Sequence, residues 1–509
     1  MAEPTAIVEA QFDRVNWVDI TADVSYDEPI AVTWGITGSG PTDNCAAPAV
    51  VTFALINGPW GGAQGRYSPG HASCTAGWDL SCPVRVRLAW SIYNRTLGPY
   101  RVTEILPGAG QKSQRLVRVS ASDWLDAAAD ETLAVAPQTD VLPGTLMAAI
   151  VTSMTTAPTA TDYDTGTETW PYTLRDLTGP TARPLAAFKG IAQSDGGFVY
   201  LTAGGTLTFA ERRRRLGDLV VDVTFASNTM RALSVPRTRQ HIVNSVRATV
   251  HPMTKGGSLV RLAMLDSGDP PIAANASLAG VTLVMEYTDP STGLACSATG
   301  VIDDVAGAYA YITANSRPDG SGTSMTAACD CVVSPGATSA TFQIVNARGS
   351  VDAYITALEV WGYTLTENNP VLAIAKDPTS IGTFGERAVD VDLPYQDNLN
   401  DGLGIAQLWQ IAYADATVWP ATVGFLVNTD ALRTALMTLD VGSRVALTET
   451  VTGQTSREMW VNGMAVTLGG SGVRPTLALV LAPATTTHWW TLDDAVYSKL
   501  DVGTVLAPG

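Results

Sequence analysis

Four consecutive arginines form the most concentrated charge in the sequence. The run comprises Arg212, Arg213, Arg214 and Arg215, and it stands in a chain whose net charge is −17. Guanidinium groups bind phosphates and carboxylates, so the run could contact either nucleic acid or the acidic surface of another subunit. If the preceding strand continued, alternate arginines would point to opposite faces, and no aromatic residue lies between Phe209 and Phe225 to stack on bases. These residues are therefore candidates for a subunit interface rather than for nucleic-acid binding.

A pair of carboxylates could carry acid–base chemistry. Asp390 and Asp392 lie two residues apart in RAVDVDLPY (387–395), so they share one face of a predicted strand. Two such carboxylates could approach to the separation of a glycosidase pair, although an exposed strand face bearing two aspartates is ordinary. The sequence contains no GxSxG, HExxH or Walker-type motif. We expect no catalytic residues and no enzymatic activity.

Cysteine and histidine are too scattered to indicate a metal site. The chain has 6 cysteines and 4 histidines, and Cys329 and Cys331 are the nearest cysteine pair. A structural zinc needs four converging ligands, usually from C-x-x-C-type pairs, and only His71 lies close before a cysteine, Cys74. We expect no metal, no cofactor and buried or idle thiols.

The composition argues against further classes of protein, namely nucleic-acid-binding, secreted and membrane-spanning proteins. Apolar residues make up 46% of 509 residues and charged residues only 16%, which favours two to four β-rich domains with sizeable cores. The acidic balance would repel DNA phosphates over much of the surface. The N-terminal MAEPTAIVEAQFD lacks the apolar core of a secretory signal, and no run approaches eighteen apolar residues. We expect no membrane-spanning segment and no specific nucleic-acid binding.

Local patterns predict strands first and then a mixed segment. PVRVRLAW (83–90) alternates apolar and basic residues, as a half-exposed antiparallel strand does. GTLMAAIVTSM (144–154) and PLAAFKGIAQSDGG (184–197) have helical spacing, and 198–211 predicts a hairpin around Gly204-Gly205.

The second half predicts a β-sandwich and then a helix-flanked meander. Several short strands separated by turn clusters fill 256–365. Asp397 or Asn398 should cap a helix over 399–413, and Asp430 a second one over 430–442. The predicted domains are 1–125, a first barrel; 126–230, an α+β domain; 231–255, a strand linking to or completing a barrel; 256–365, an inserted sandwich; 366–485, a second barrel; and 486–509, a C-terminal arm.

The first part of the chain contains WVDITADV and then PVRVRLAW. These segments resemble the start of a protein family, the minor tail proteins of long-tailed, siphovirus-like bacteriophages that infect actinobacteria. PLAAFKGIAQSDGGFVYLTAGGTLTFAERRR resembles its helix-plus-hairpin segment. SIGTFGERAVDVDLPY, LMTLDVGSRVALTETVTG, WVNGMAVTL and WWTLDDAVYSKLDVGTVLAP are similar to its closing barrel and tail. The resemblance covers about three quarters of the chain, and 256–365 matches least.

The resemblance implies a mainly β, multi-domain baseplate hub with two tail-tube-like β-barrels per chain. Such a hub forms a homotrimer that closes the tail tube, adapts it to threefold fibre or spike proteins, and lines part of the DNA conduit. Its implied partners are the distal tail ring and the tape measure as well as the fibre or spike, and its location is the virion tail tip after synthesis in the host cytoplasm.

It also implies that 1–125 and about 370–485 share a fold, with the strand in 239–250 left unassigned to either. Two alternatives stay open: a carbohydrate-binding adhesin acting through 256–365, and a tail-associated wall hydrolase.

Overall fold

The structure is a computed structural model, and it describes most of the chain. The described residues are 3–40, 42–58, 64–108, 115–133, 135, 137–166, 168–174, 182–217, 220–265, 272–274, 281–301, 312–346, 352–414, 421–469, 474–484, 488–489 and 504–505. The predicted C-terminal arm lies almost wholly outside them.

The chain is mainly β and forms several sheets. The first part contains β1 (Thr5–Ala10), β2 (Val18–Asp19), β3 (Val24–Ser25), β4 (Ile30–Gly35), β5 (Val50–Ile56), β6 (Pro83–Trp90), β7 (Tyr93–Pro107) and β8 (Leu116–Ser122). The mixed segment contains α1 (Trp124–Asp130), β9 (Thr139–Val141), α2 (Pro143–Ser153), β10 (Ala160–Tyr163), β11 (Trp170–Tyr172), α3 (Pro184–Asp195), β12 (Phe198–Leu201), β13 (Thr206–Ala210), α4 (Arg212–Gly217), β14 (Val223–Ala226) and β15 (Met230–Ser234).

The second half adds two further groups of elements. The first comprises β16 (Ser245–Val250), β17 (Met253–Lys255), β18 (Val260–Leu265), β19 (Ile272–Ala274), β20 (Val281–Glu286), β21 (Ser297–Thr299), β22 (Ile312–Asn315), β23 (Cys329–Pro335), β24 (Ser339–Asn346) and β25 (Ala353–Glu367). The second comprises β26 (Val371–Lys376), α5 (Pro378–Phe384), β27 (Ala388–Leu393), α6 (Leu399–Tyr413), β28 (Thr422–Leu426), α7 (Asp430–Thr438), β29 (Arg444–Glu449), β30 (Gln454–Leu468), β31 (Thr476–Pro483), β32 (His488–Trp489) and β33 (Thr504–Val505).

The largest sheet contains strands from both the N-terminal and the C-terminal parts of the chain. Its strand order is β15-β28-β31-β30-β4-β5-β8-β7-β6-β1-β2, with β29 and β14 continuing from β30 and β3 pairing with β5. The two predicted barrels are therefore not separate bodies, because β30 pairs with β4. Over the described residues none of the sheets closes into a barrel, which corrects that part of the predicted fold.

Two six-stranded units with the same topology account for twelve of the 14 strands of this sheet, all except β2 and β3. The N-terminal unit consists of β1 and β4–β8, and the C-terminal unit of β14, β15 and β28–β31. In each unit the strands, counted along the chain, lie in the spatial order second, third, sixth, fifth, fourth, first. The outermost pair differs, because β1 runs antiparallel to β6 whereas β14 runs parallel to β29. The C-terminal unit takes two strands from before the insertion and four from after it.

The mixed segment fills the space beside both units. Phe188 of α3, Val119 of β8 and Leu479 of β31 are all buried in one apolar cluster. The predicted helices and hairpin are present as α2, α3 and β12–β13, and α3 ends at Gly196, whose φ of 71° is the left-handed conformation that glycine adopts without strain. The units and the mixed segment therefore share a core.

The insertion between β15 and β28 forms two packed groups of elements, a three-stranded sheet under α6 and the predicted sandwich. The strand predicted in 239–250 is β16, and it pairs with β26 and β27 in a three-stranded sheet under α6 rather than joining either unit. Leu262, Phe342 and Val360 come from the two larger sheets of the predicted sandwich and pack into one cluster, as a sandwich requires.

Local capping explains where the late helices begin. Asn398 caps α6 by accepting a hydrogen bond from the backbone N–H of Asn400. Thr429 caps α7 by accepting from Leu432, which corrects the predicted cap at Asp430 by one residue.

Candidate assembly site at the junction of the two units

The four arginines lie on α4, not on a continued strand. The helix follows β13 directly, and the Asp195 carboxylate accepts the backbone N–H of Arg212 at 3.0 Å. Helical spacing turns Arg212 and Arg215 inward and leaves Arg213 exposed. The assumption that the charges would splay across a strand was therefore wrong.

Arg212 and Arg214 find their counter-charges within the chain. Arg212 forms a buried ion pair with Glu168, whose other carboxylate oxygen accepts from Gln396 at 2.5 Å. Arg214 contacts Asp164 at 2.8 Å and Asp162 at 3.0 Å. Burial alone would lower the pKa of Arg214, but these two carboxylates outweigh it and raise the pKa above the usual range.

Arg215 is buried, and no carboxylate of the described residues pairs with it. Its Nη1 donates to the Asn462 side-chain oxygen at 2.9 Å, and its guanidinium lies 3.5 Å from the centre of the Phe198 ring and 5.6 Å from that of Trp460. Its Nε and Nη2 have no hydrogen-bond partner among the described residues. Burial lowers the pKa of Arg215 to about 10. The Asn462 hydrogen bond and the two aromatic faces are thus the contacts that stabilise this charge.

Asn462 connects Arg215 to the place where the two units meet. It is the extra residue of a β-bulge in β30, where pairing with β31 shifts between Val461 and Gly463. Its backbone oxygen accepts from Ile36 at 2.8 Å, and its side chain donates to the Gly38 carbonyl at 2.9 Å. One buried side chain therefore holds α4, β30 and the segment after β4 together.

The strands meet at a close backbone approach. After the bulge, β30 leaves β29 and pairs antiparallel with β4, from Gly463 opposite Gly35 to Leu468 opposite Ile30. A Cβ at Gly35, whose φ is +93°, would lie 2.6 Å from the Asn462 carbonyl oxygen. The junction therefore requires glycine at this position.

A second polar cluster holds the same junction from the other side. Asp440, just after α7, accepts from Trp34 Nε1 at 2.9 Å and from the backbone of Ala203 at 2.9 Å. Arg95 of β7 lies 3.4 Å from the Asp440 carboxylate and donates to the Leu436 carbonyl at 2.6 Å. Both units and the hairpin turn are thus tied to one carboxylate.

Sequence reasoning missed Asn462, Asp440 and Arg95. The Asn462-Gly463 dipeptide inside an apolar strand was a signal for a bulge. Asp440 and Arg95 carried no local signal, because their partners are distant in sequence. A subunit-interface role for Arg212–Arg215 stays a prediction, and the geometry leaves Arg213 as the residue with an exposed guanidinium.

The predicted carboxylate pair is divided between two partners. Asp390 lies 3.6 Å from Arg247, whereas Asp392 lies 2.5 Å from Nε2 of His251. The other ring nitrogen of His251 lies 2.7 Å from Glu367, so both nitrogens face carboxylates. Because both ring nitrogens contact carboxylates, neither is available to take a proton from the thiol of the neighbouring Cys296.

A cysteine nearby does not change this chemistry. Cys296 lines the same cavity as His251, and burial raises the pKa of its thiol to about 11. A protonated, partly buried thiol is a poor nucleophile. Within the described residues no group of histidine, cysteine and acidic side chains gathers as metal ligands, and no helix there is long and apolar enough to cross a membrane.

Comparison with known proteins gives structural neighbours only. No family model matches the chain, and no curated protein matches it. It is similar to the 43 kDa tail protein of prophage MuSo2 from Shewanella oneidensis, with 7% identity, 95% and 99% of the two chains covered, and a TM-score of 0.49. It is also similar to a tail protein from Neisseria meningitidis MC58, with 10% identity, 94% and 97% covered, and a TM-score of 0.48.

A third neighbour comes from a secretion system. This is the E. coli c3393 protein, a type VI secretion component described as structurally similar to the T4 tail proteins gp27 and gp5, with 10% identity, 89% and 96% covered, and a TM-score of 0.26. These neighbours are tail proteins or a protein likened to them, the class that the sequence resembles.

Proposed function

We propose that this protein is a structural component of a phage-type tail, a hub that closes the tail tube and adapts it to threefold fibre or spike proteins. The observation that carries the proposal is the repeated six-stranded unit, whose two copies join edge to edge through β30 and β4. A chain with two equivalent units lets three copies present six similar units to a sixfold tube. The proposal agrees with the resemblance of the sequence to minor tail proteins.

The charge of the chain suits a conduit. A net charge of −17 disfavours binding to the DNA backbone, because such binding depends on lysine and arginine side chains that neutralise phosphates. Two of the four arginines of the basic run, Arg212 and Arg214, are paired inside the chain with Glu168, Asp162 and Asp164, and a third, Arg215, is buried. DNA could therefore pass a channel built from these units without being held.

The proposal includes no enzymatic activity, and it places the protein in the virion tail tip with other tail proteins as partners. Both ring nitrogens of His251 are engaged and the Cys296 thiol is protonated, which supports a structural role for that cavity.

The mass of the purified chain in solution tests the proposal. Sedimentation equilibrium should give a species of three times the 53.4 kDa chain mass, and negative-stain images should show threefold particles with a central hole. A monomer at every concentration, or closed dimers, would contradict the hub.

A further inference from the structure

Strands β7 and β30 occupy equivalent positions in the two units. Each makes the same pair of backbone hydrogen bonds to the neighbouring chain segment on one side. The backbone N–H of Val461 donates to Ser443, and its carbonyl accepts from Gly442, at 2.9 and 2.8 Å. Val102 of β7 does the same with Cys82 and Ser81, at 3.0 and 2.7 Å. Val102 is thus the counterpart of Val461.

The bulge that follows is repeated as well. Pairing of β7 with β8 shifts between Val102 and Glu104, and pairing of β30 with β31 shifts between Val461 and Gly463. Thr103 therefore occupies the position of Asn462. In β30 this bulge is where the strand passes from its own unit to the neighbouring one.

Beyond the bulge the two strands differ in one respect. Residues 463–468 of β30 pair with β4, whereas 104–107 of β7 pair with β8 on one side and with no described strand on the other. Glu104, Leu106 and Pro107 are exposed there, and Leu106 retains 52% of its accessible surface. An open edge with an exposed leucine is a surface that invites another strand.

The chain also contains the matching edge. β15 is the counterpart of β4, the strand that accepts β30. β4 is paired on both sides, by β5 and β30, but β15 pairs only with β28 and stands at the end of the sheet among the described strands. Its outer residues Arg231, Ala232 and Ser234 are exposed.

We propose that the open edge of β7 beyond Thr103 pairs with the open edge formed by β15 and the residues that continue it, 235–238, in a second copy of this chain, repeating between chains the β30–β4 junction within the chain. The proposal rests on the proposed function for the number of copies that close the ring. A contact between two different edges is head-to-tail, so it propagates around a ring until the ring closes. Because Glu104 is the counterpart of Gly463 and Ser234 that of Ala31, the register of the β30–β4 junction places Glu104 opposite Thr238, between the exposed Arg237 and Arg239, so the two edges carry opposite charges.

Charge reversal tests the pairing. Glu104→Arg should raise the dissociation constant of the oligomer about tenfold, because an attractive contact becomes a repulsive one. Arg237→Glu should do the same, and the double variant should recover most of the loss. The matched control is Asp330→Arg, at an exposed acid on β23 in the sandwich, which should leave assembly unchanged. Sedimentation velocity measures all four, and circular dichroism checks that each variant folds.

A crosslink gives an independent readout. Glu104→Cys combined with Thr238→Cys, the residues that correspond to the Gly463–Gly35 pair, should form covalent multimers up to the full ring on oxidation, and neither single variant should. If the wild type is a ring but neither the reversals nor the crosslink affects it, the β7–β15 pairing is wrong and the hub proposal stands. If the wild type is monomeric at every concentration, both fail.

Discussion

Replacing Gly35 with alanine probes how closely the two units approach each other. Gly35 has a φ of +93°, and an added Cβ would lie 2.6 Å from the Asn462 carbonyl oxygen and 2.6 Å from a methyl group of Val441. It would also lie 2.9 Å from Cα of Gly463. Two of these three neighbours are backbone atoms of β30, so they cannot rotate away.

The expected cost has two parts. Holding an alanine at this positive φ costs roughly 1–2 kcal/mol. Forcing a methyl group into a packed site costs about 1–3 kcal/mol more. Gly35→Ala should therefore reduce the free energy of unfolding by about 4 kcal/mol.

Gly382, within α5, and Gly385, directly after the helix, provide matched controls. Gly385 has a φ of +76°, and a Cβ added there would meet no atom within 4 Å, so Gly385→Ala should cost only the backbone strain, roughly 1–3 kcal/mol. Gly382, on the exposed side of α5, would also present its Cβ to open space within 4 Å, and Gly382→Ala should stabilise by about 0.5–1 kcal/mol.

Urea unfolding followed by tryptophan fluorescence measures all three variants, since Trp34 and Trp460 border the junction. The difference between Gly35→Ala and Gly385→Ala isolates the steric part. Equal losses in the two variants would refute the close approach of β4 and β30.

Three further predictions concern the buried acid, the arginines and catalysis. Burial raises the pKa of Asp195 to about 7 from 3.8, so its contribution to stability is complete below pH 3.8 and is lost as the pH rises through 7. Asp195→Asn should remove on the order of 4 kcal/mol of this pH dependence, measured by urea unfolding at several pH values; an unchanged profile would contradict it. Arg213→Ser should leave the melting temperature unchanged but weaken assembly if Arg213 lies at an interface, whereas Arg215→Ser should lower the melting temperature by several degrees; calorimetry and sedimentation separate the two, and an assembly unaffected by Arg213→Ser removes this residue from the interface. Zymography on host cell wall should show no cleared band, and a band that disappears in Asp390→Asn or Asp392→Asn would overturn the structural role.

The elements that the sequence predicted best are those with local signals. α3 is bounded by a proline at its start and Gly196 at its end, and α6 has its cap at Asn398 with apolar residues at helical spacing. α4 had no such signal, because RRRRLG has no apolar periodicity and the helix is only 6 residues long.

The junction depended on contacts that no local pattern reveals. Arg215 is buried because Phe198 and Trp460 come together from β12 and β30. The repeat of the two units was obscured because the insertion separates β15 from β28, so the second unit is discontinuous in sequence. The arrangement of the two units therefore depends on long-range strand pairing, which composition and periodicity do not reveal.

Cryo-electron microscopy of the assembled chain tests the central claim most directly. We predict three copies around a channel, with the N-terminal and C-terminal units alternating in a near-sixfold ring and β7 of one copy beside β15 of the next. A ring in which the two units occupy different radii, or a particle without a channel, would contradict the account.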